Sequence, residues 1–425
     1  MVVSGAVEQL ETATGDGRRI ANRLGRAVNR ACDRAVRTTV NVRGRNWAAF
    51  RVCGVVGFAL AVALGGWLAV HQQLSAGVLG VLALGAALTF FALAFGAKVL
   101  TGQERLVYYH HELAIFAVST LILTAIGRPV LPYLDLTALG VGTFLACGRV
   151  GCFLAGCCHG RPSRCGVAYG NDHVAIGFPA PLASVRLLPV QLVEALWAAA
   201  AVALGTALVV RGAAPGAAWC SYVVLYDLGR FGLEFVRGDA ERPYHAGFSS
   251  AQWLALGLTA LVVGGEVTGV LPMAGWHIAA LVALVVAMTA VVVRRRTRSV
   301  PRHLLLHPRH VAELAEIVQW GGDVPVHAPR TTEPAQLRME ETSLGVRISV
   351  GKTADDRLVT HYGISSAAGE MTAESARAIA REILLLRHPD AASQFLPGRL
   401  GVYHLLAFDP DSSTAAWGRA DDRSR

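Results

Sequence analysis

Charged residues are scarce in this chain. Only 16% of its 425 residues are Asp, Glu, Lys or Arg, against roughly 25% in an ordinary soluble domain. Hydrophobic residues make up 53%, and the mean hydropathy is +0.44. This composition excludes an entirely soluble globular protein and predicts a multi-pass membrane protein.

Two further patterns are missing. The stretch from Met1 to Asp16 has no sustained apolar run and carries Glu8 and Glu11, so we expect no cleaved signal peptide. The formal net charge is +9, but the arginines cluster beside apolar segments instead of alternating with aromatic residues on a soluble face. We therefore expect no nucleic-acid partner. The surface of an anionic membrane is a better partner for the excess positive charge than nucleic acid is.

Apolar runs long enough to cross ~30 Å of hydrocarbon occur about eight times. The third and fourth runs are short and the seventh carries Glu266, so we predict an all-α polytopic membrane helix bundle of about seven or eight transmembrane helices. The candidate helices are residues 49–70, 75–99, 109–126, 132–148, 190–211, 216–236, 250–271 and 275–293.

Both ends of the chain differ from this membrane block. Apolar residues recur at helical spacing between Arg18 and Arg37 and arginines fall opposite them, which predicts a basic amphipathic helix on an anionic bilayer. The alternative is a solvated arginine-rich tail. Near the other end, alternation at Val346–Val350, a possible strand at Arg357–Tyr362 and a helix from Thr372 to about Leu386 predict a small soluble α+β domain.

These patterns predict five segments. They are a basic amphipathic segment at 1–45, a transmembrane domain at 46–297, a linker with a short helix near Val311 to Trp320 at 298–334, the α+β domain at 335–410 and a disordered tail at 411–425.

The most informative stretch is GRVGCFLAGCCHG, residues 148–160, which is followed by Arg161 and Pro162. Glycines, polar backbone and fixed cations at membrane depth are tolerated where they line a protein cavity. This stretch therefore predicts a cysteine-rich loop at the end of an apolar helix as the candidate site, and its arginines favour a phospholipid ligand.

The same stretch resembles the signature of the prolipoprotein diacylglyceryl transferases, a bacterial membrane enzyme family whose pattern is roughly GRxGNFxNxExxGRxT. Residues 188–195 resemble its HPxQLYEA segment, residues 226–237 its YxxxRFxxEFxR segment and residues 248–253 its final S-x-G-Q segment. Together these cover about 46–270 and leave both appendages unexplained. The residues that match the signature are Gly148, Arg149, Gly151, Phe153, Gly160 and Arg161.

Members of that family transfer a diacylglyceryl group from phosphatidylglycerol to the lipobox cysteine of a prolipoprotein and release glycerol phosphate. The resemblance implies an enzyme of the bacterial plasma membrane, with phosphatidylglycerol and lipobox signal peptides as partners and no cofactor. Such chemistry needs cations that stabilise the phosphate leaving group and a base for the thiol. Arg149 and Arg230 are the expected catalytic cations, because guanidinium grips phosphate bidentately.

His110 is the expected base, since it aligns best with a histidine of the family at the head of the third helix and imidazole accepts protons near neutral pH. His111 competes for that role, and a hydrogen-bonded aromatic belt is the structural alternative. Glu234 can orient Arg230 through an i,i+4 pair, or serve only as a structural partner. The expected phospholipid-binding residues are Arg149, Gly151, Gly160, Arg161, Gln191, Arg230, Glu234 and Arg237.

The signature is also altered. Cys152 stands where the family has asparagine, and Cys157 stands in place of its acidic residue. Five cysteines between Cys147 and Cys165 could hold a metal or an iron–sulfur cluster, or pair as disulfides, but their spacings lack the C-x2-C knuckle, so we predict no metal site and favour thiols near the cavity. Two other functions stay open: a catalytically silent phospholipid-binding relative, and a membrane thiol-redox or metal-binding protein.

Overall fold

The computed structural model describes residues 23–102, 108–297, 302–320, 326–327, 338–354 and 358–408. A helix, α1, covers residues 23–35. A short hairpin follows, with strands β1 (Thr39–Val42) and β2 (Arg45–Ala48), and it leads directly into the membrane block.

Eight helices form the membrane block and coincide with the eight predicted segments. Six of the helices in the described residues are long and apolar enough to cross a membrane. The helices α4 (Tyr108–Ala125) and α8 (Ala217–Leu233) are more polar, because they carry Glu112, Asp227 and Arg230. The eight are α2 (Ala49–His71), α3 (Ala76–Thr101), α4 (Tyr108–Ala125), α5 (Val130–Ala155), α7 (Val190–Val210), α8 (Ala217–Leu233), α9 (Ser250–Val267) and α10 (Gly275–Thr297), with α6 in a loop described below.

Helix α5 lies at the centre of this bundle and packs against α2, α7 and α8. Small residues allow the helices to approach closely, as is typical in membranes, where packing drives helix association. At Gly142, for example, a Cβ would collide with Tyr222 on α8, and it would come within 2.6 Å of Val202 on α7. The central helix therefore fixes the positions of α7 and α8, which carry the site together with it.

The end of α5 differs from the sequence prediction. We predicted a helix that stops at residue 148, but α5 continues to Ala155 and stops where Gly156 adopts a left-handed conformation with φ of 86°. Glycine allows this helix cap because it has no Cβ. Arg149, Gly151 and Cys152 therefore lie on the last two turns of a helix and not in a loop.

Two loops cover that end of the bundle. Between α5 and α7 run β3 (Pro162–Ala168), α6 (Asn171–Val174), a 3-10 turn at Ala180–Leu182 and β4 (Arg186–Leu187), with β3 and β4 antiparallel. Between α8 and α9, β5 (Tyr244–His245) and β6 (Phe248–Ser249) form a hairpin. Backbone pairing of Gly160 with Arg237 joins the two loops.

The predicted α+β domain is present. Its sheet runs in the order β11-β12-β10-β9-β7, and β8 also pairs with β9. Helix α13 (Ala373–Arg387) begins at Thr372, whose side chain accepts a hydrogen bond from the Ser375 amide, as an N-cap does. The strands are β7 (Val326–His327), β8 (Arg338–Glu341), β9 (Val346–Ala354), β10 (Leu358–Ser366), β11 (Ala392–Pro397) and β12 (Tyr403–Phe408).

Part of the predicted linker is packed structure. Residues 302–320 form α11 (Arg302–Leu305) and α12 (Pro308–Trp320), both of which contact α13. Leu314 of α12 is fully buried in the same apolar cluster as Ile348 and Ile379. The predicted linker therefore contains packed helices at 302–320, and the domain boundaries stay predictions.

The same apolar cluster continues into the loops of the membrane block. Phe153, Val167 and Leu187 are buried in it together with Leu314 and Ile348. Helix α13 contacts β3, and α12 contacts the 3-10 turn that precedes β4. The C-terminal domain is thus packed directly on the loop that follows α5.

The described part of the N-terminal segment also packs on this loop. Cys32 of α1 is buried in the shared cluster, Asn29 accepts a hydrogen bond of 2.8 Å from the Gly166 amide, and Asp33 pairs with Arg186 at 3.1 Å. Four arginines of α1 are exposed on the opposite side: Arg23, Arg26, Arg30 and Arg34. The predicted helix is present from 23 to 35, and its contact with lipid stays a prediction. Residues 18–22 of that helix and the predicted tail at 411–425 lie outside the described residues.

Candidate functional site

Three arginines from different parts of the bundle converge on one carboxylate. Glu194, on the first turns of α7, places its Oε2 atom 3.1 Å from Nε of Arg149 on α5 and 3.3 Å from Nη1 of Arg230 on α8. The Nη1 atom of Arg237, just beyond α8, lies 3.5 Å from the same oxygen. All four side chains are at least nine-tenths buried.

A second group of ion pairs extends this cluster toward the loops. Arg230 pairs with Glu234 at 2.7 Å, four residues along the chain as the sequence predicted. Glu234 also pairs with Arg242. Arg237 contacts Asp239 at 3.0 Å, and Arg242 contacts the same carboxylate at 3.2 Å. We call the seven residues Arg149, Glu194, Arg230, Glu234, Arg237, Asp239 and Arg242 the arginine cluster.

The charges of the arginine cluster do not cancel. Four arginines face three carboxylates in it, which leaves one positive charge. Burial raises the pKa of Asp239, but Arg237 and Arg242 outweigh it and hold that pKa below its usual value, so the carboxylate stays ionised. Burying ions costs several kcal/mol each, and a buried excess of guanidinium suits an anionic ligand such as a phosphodiester.

Tyrosines on the bundle side complete the hydrogen bonding. The Tyr226 hydroxyl donates to Oε1 of Glu194 at 2.8 Å, the oxygen other than the one on which the three arginines converge. Next to it, the Tyr109 hydroxyl donates to Asp227 at 2.9 Å. Helix α4 therefore meets α8 through Tyr109, one residue before the predicted base.

His110 itself lies elsewhere. Its side chain is exposed, whereas Tyr109, His111 and Glu112 are buried on the inner side of α4. The structure therefore brings Arg149, Arg230, Glu234 and Arg237 together but does not bring the His110 ring into the arginine cluster.

The remaining predicted site residues position the loop next to the arginine cluster. Gln191 is buried and donates from Nε2 to the Cys157 carbonyl at 2.8 Å. Arg161 donates from its backbone amide to the Val236 carbonyl at 3.0 Å. Gly160 lies against the Leu188 carbonyl, where a Cβ would collide. Gly151 faces α2, where a Cβ would come within 3.1 Å of Phe50 and Cys53.

All eight cysteines of the chain are free thiols in the structure. Three of them, Cys152, Cys157 and Cys158, place their Sγ atoms within 4.8 Å of one another. Hydrogen bonds from the other two thiols, aided by Arg237 and Arg149, lower the pKa of Cys158 well below its usual value although burial opposes this. The loop that departs from the family signature is thus next to the arginine cluster.

Sequence reasoning missed Glu194, Asp239 and Arg242. Glu194 was within reach, because an acidic residue in an apolar helix, three positions after Gln191, faces the same side and is a functional candidate by default. Asp239 and Arg242 lie in an irregular loop whose path no periodicity predicts.

These features define a multi-pass integral membrane protein with a buried arginine–carboxylate site at one end of its helix bundle. The profile of the family described as "Prolipoprotein diacylglyceryl transferase" matches residues 44–268, more than half of the chain. The chain belongs to the prolipoprotein diacylglyceryl transferase family, and the resemblance found in the sequence is confirmed.

Several curated relatives carry the matching name. The chain is 31% identical over 129 residues to the phosphatidylglycerol–prolipoprotein diacylglyceryl transferase of Clostridium tetani, covering 30% of this chain and 49% of that protein. It is 34% identical over 115 residues to such an enzyme, numbered 2, of Clostridium perfringens, covering 26% and 41%, and 31% identical over 132 residues to that of Dehalococcoides mccartyi, covering 31% and 48%. The chain spans about half the length of these relatives or less.

Proposed function

We propose that this protein transfers the diacylglyceryl group of phosphatidylglycerol to the lipobox cysteine thiol of a bacterial prolipoprotein at the plasma membrane. The observation that carries the proposal is the convergence of Arg149, Arg230 and Arg237 on Glu194, within an arginine cluster that has one positive charge left over. The names of the curated relatives support the same reaction.

The arginines would act on the leaving group. The thiolate sulfur bonds to the diacylglyceryl carbon next to the phosphate, the carbon–oxygen bond breaks, and its electron pair leaves with glycerol phosphate. Arg149 and Arg230 stabilise the charge that grows on that phosphate, in a buried site where such interactions are strong. Glu194 holds both guanidinium groups in place before the lipid arrives, so little reorganisation is needed.

The test is a transfer assay with the full chain in vesicles that contain phosphatidylglycerol, with a lipobox peptide as acceptor and mass spectrometry of the thioether product. Arg149→Ala and Arg230→Ala should each lower the rate by about 10²–10³. Arg128→Ala is the matched control, since Arg128 is exposed before the opposite end of α5, and it should keep the wild-type rate.

Two results would contradict this proposal. One is the absence of thioether product while phosphatidylglycerol still binds, which is the behaviour of a silent phospholipid-binding relative. The other is a wild-type rate in both arginine variants, because the phosphate would then be held elsewhere.

The base is the second part of the proposal. The resemblance assigns proton removal from the thiol to His110, whose exposed ring could meet an acceptor peptide at the bundle surface. Loss of a general base lowers rates by about 10²–10⁴, so His110→Gln should lower the transfer rate by a factor in this range. His111→Gln, at the buried neighbour, is the comparison variant.

A further inference from the structure

Three thiols meet at the end of α5, although their spacing in the sequence suggested no metal site. The Sγ atoms of Cys152, Cys157 and Cys158 all lie within 4.8 Å of one another. Cys152 is buried on the last turn of the helix, Cys158 is half-buried and Cys157 is exposed. The cluster therefore has a fixed inner member and a member that solvent can reach.

The backbone around the thiols is held in an unusual shape. After the left-handed Gly156, Cys158 also has a positive φ, of 55°. Residues with a side chain rarely adopt this conformation, and it tends to persist where the surroundings enforce it, often at functional sites. Here Gln191 holds the Cys157 carbonyl at 2.8 Å, and the Gly238 amide holds the His159 carbonyl at 2.9 Å.

The distances suit a small thiophilic cation. Zinc–sulfur bonds of about 2.3 Å in a tetrahedral site place the sulfur atoms about 3.8 Å apart, so no pair in the cluster needs to close by more than about 1 Å. Thiolates favour soft ions such as zinc. Arg149 and Arg237 lie close enough to Cys158 to interact with it electrostatically, and their charges would offset the net negative charge of three thiolates around a divalent ion.

We propose that Cys152, Cys157 and Cys158 bind a zinc ion whose fourth position takes the thiol of the incoming lipobox cysteine. This inference rests on the proposed function, which it deepens by naming how the nucleophile is activated. Three protein ligands with one open position are the pattern of a catalytic zinc site.

The chemistry of the transfer requires such activation, because a thiolate is the nucleophile and a thiol is not. A thiol that coordinates zinc loses its proton outright, here to the base of the proposed function. Its sulfur then bonds to the diacylglyceryl carbon, the carbon–oxygen bond breaks toward the phosphate, and the thioether product leaves the zinc. No oxidation occurs and no further reactant is needed. The two cysteines that replace the asparagine and the acid of the family signature would then be a gain of ligands and not a loss of function.

The experiment uses the reduced full chain in detergent, freed of metal and then titrated with zinc or with cobalt(II) as a spectroscopic probe. We expect one ion per chain by elemental analysis. The affinity should fall at least tenfold in each of Cys152→Ser, Cys157→Ser and Cys158→Ser, and stay unchanged in Cys147→Ser, which alters a half-buried cysteine on the same helix outside the cluster.

A lipobox peptide should shift the thiolate-to-cobalt absorption band, and the same peptide with serine in place of its cysteine should not. This shift needs no turnover, so it separates the two proposals. A shift without any thioether product would support the zinc site and contradict the proposed function. Transfer by metal-free protein at the full rate would overturn the zinc role and leave the proposed function intact.

A second measurement uses the wild-type chain alone and so does not depend on whether the cysteine variants fold. In the wild-type chain, zinc should protect three thiols from alkylation, and peptide mapping should assign them to Cys152, Cys157 and Cys158. Absence of protection, or a disulfide between two of these three in the purified protein that persists while transfer proceeds, would overturn the inference.

Discussion

Arg149 and Arg230 share a single oxygen atom, Oε2 of Glu194, at 3.1 and 3.3 Å. The two arginines come from α5 and α8, which are separated by the whole of α7 and its preceding loop in the chain. Because both are held by one buried carboxylate, a phosphate that reaches the cluster meets two guanidinium groups already in place. The remainder of the arginine cluster serves to keep that arrangement intact.

Glu194→Gln should be strongly destabilising. The substitution leaves three buried guanidinium groups facing a neutral amide, and breaking a buried ion pair from one side costs about 3–5 kcal/mol. Thermal unfolding in detergent measures the loss. Tyr226→Phe removes one hydrogen bond to the same carboxylate and should cost about 1 kcal/mol; equal losses in the two variants would show that the charge at residue 194 does not matter.

Gly160→Ala should reduce transfer and stability together. A Cβ at Gly160 would run into the Leu188 carbonyl, to which the Gly160 amide also donates a hydrogen bond of 3.1 Å. The loop would have to move away from Arg237 and so from the arginine cluster. Gly148→Ala is the matched control within the same motif, since nothing lies within 4 Å of a Cβ there, and helix propensity predicts a gain of about 0.5–1 kcal/mol. Comparable losses for both glycines would contradict this account.

Arg309→Ala should weaken the use of phosphatidylglycerol without unfolding the protein. Arg309, at the start of α12, donates to the Ala240 carbonyl at 3.2 Å and to the Arg242 carbonyl at 3.4 Å, and so steadies the loop that supplies Asp239 and Arg242. Loss of about 1 kcal/mol of loop stabilisation corresponds to about a fivefold rise in KM. Arg347→Ala, which removes an exposed ion pair in the same domain, should leave KM unchanged.

Glu382→Gln should stabilise the protein at alkaline pH. Burial raises the pKa of Glu382 on α13 to about 7, although nearby Arg161 opposes the shift. The folded state then holds this proton more tightly than the unfolded state, so its contribution to stability is present at acid pH and declines as the pH rises toward and through 7. Unfolding temperatures of wild type and variant should therefore diverge from pH 5 to pH 8.

The control for that experiment is Glu316→Gln, which alters an exposed acid on α12. Its unfolding temperature should differ from that of wild type by the same amount at pH 5 and at pH 8. Identical pH profiles for Glu382→Gln and wild type would show that the carboxyl group ionises normally in the folded state.

Periodicity and apolar length predicted the helices well, because a membrane leaves helices as the main way to satisfy a backbone in hydrocarbon. They were less informative about where α5 ends. Glycines at 148 and 151 suggested a loop, yet both lie inside α5, where Gly148 faces open space and Gly151 packs against α2. Gly156 takes the left-handed conformation that ends the helix.

The site was predictable in part. The i,i+4 spacing of Arg230 and Glu234 is a local property and gave the ion pair directly. Glu194 and Arg149 meet only because α7 packs on α5, which no local pattern encodes. The three-thiol cluster was hidden for the same reason, since a spacing rule assumes a knuckle and here the end of a helix and two left-handed residues bring the sulfur atoms together.

The apolar cluster shared by the loop after α5 and the C-terminal domain has a consequence for biosynthesis. Phe153, Val167 and Leu187 are made well before Leu314 and Ile348, with which they are buried. A nascent chain whose membrane helices are already inserted therefore still exposes an apolar surface beside the arginine cluster. That surface stays uncovered until the C-terminal domain is made, so premature termination would yield an inserted protein with an exposed apolar patch, a substrate for quality-control proteases.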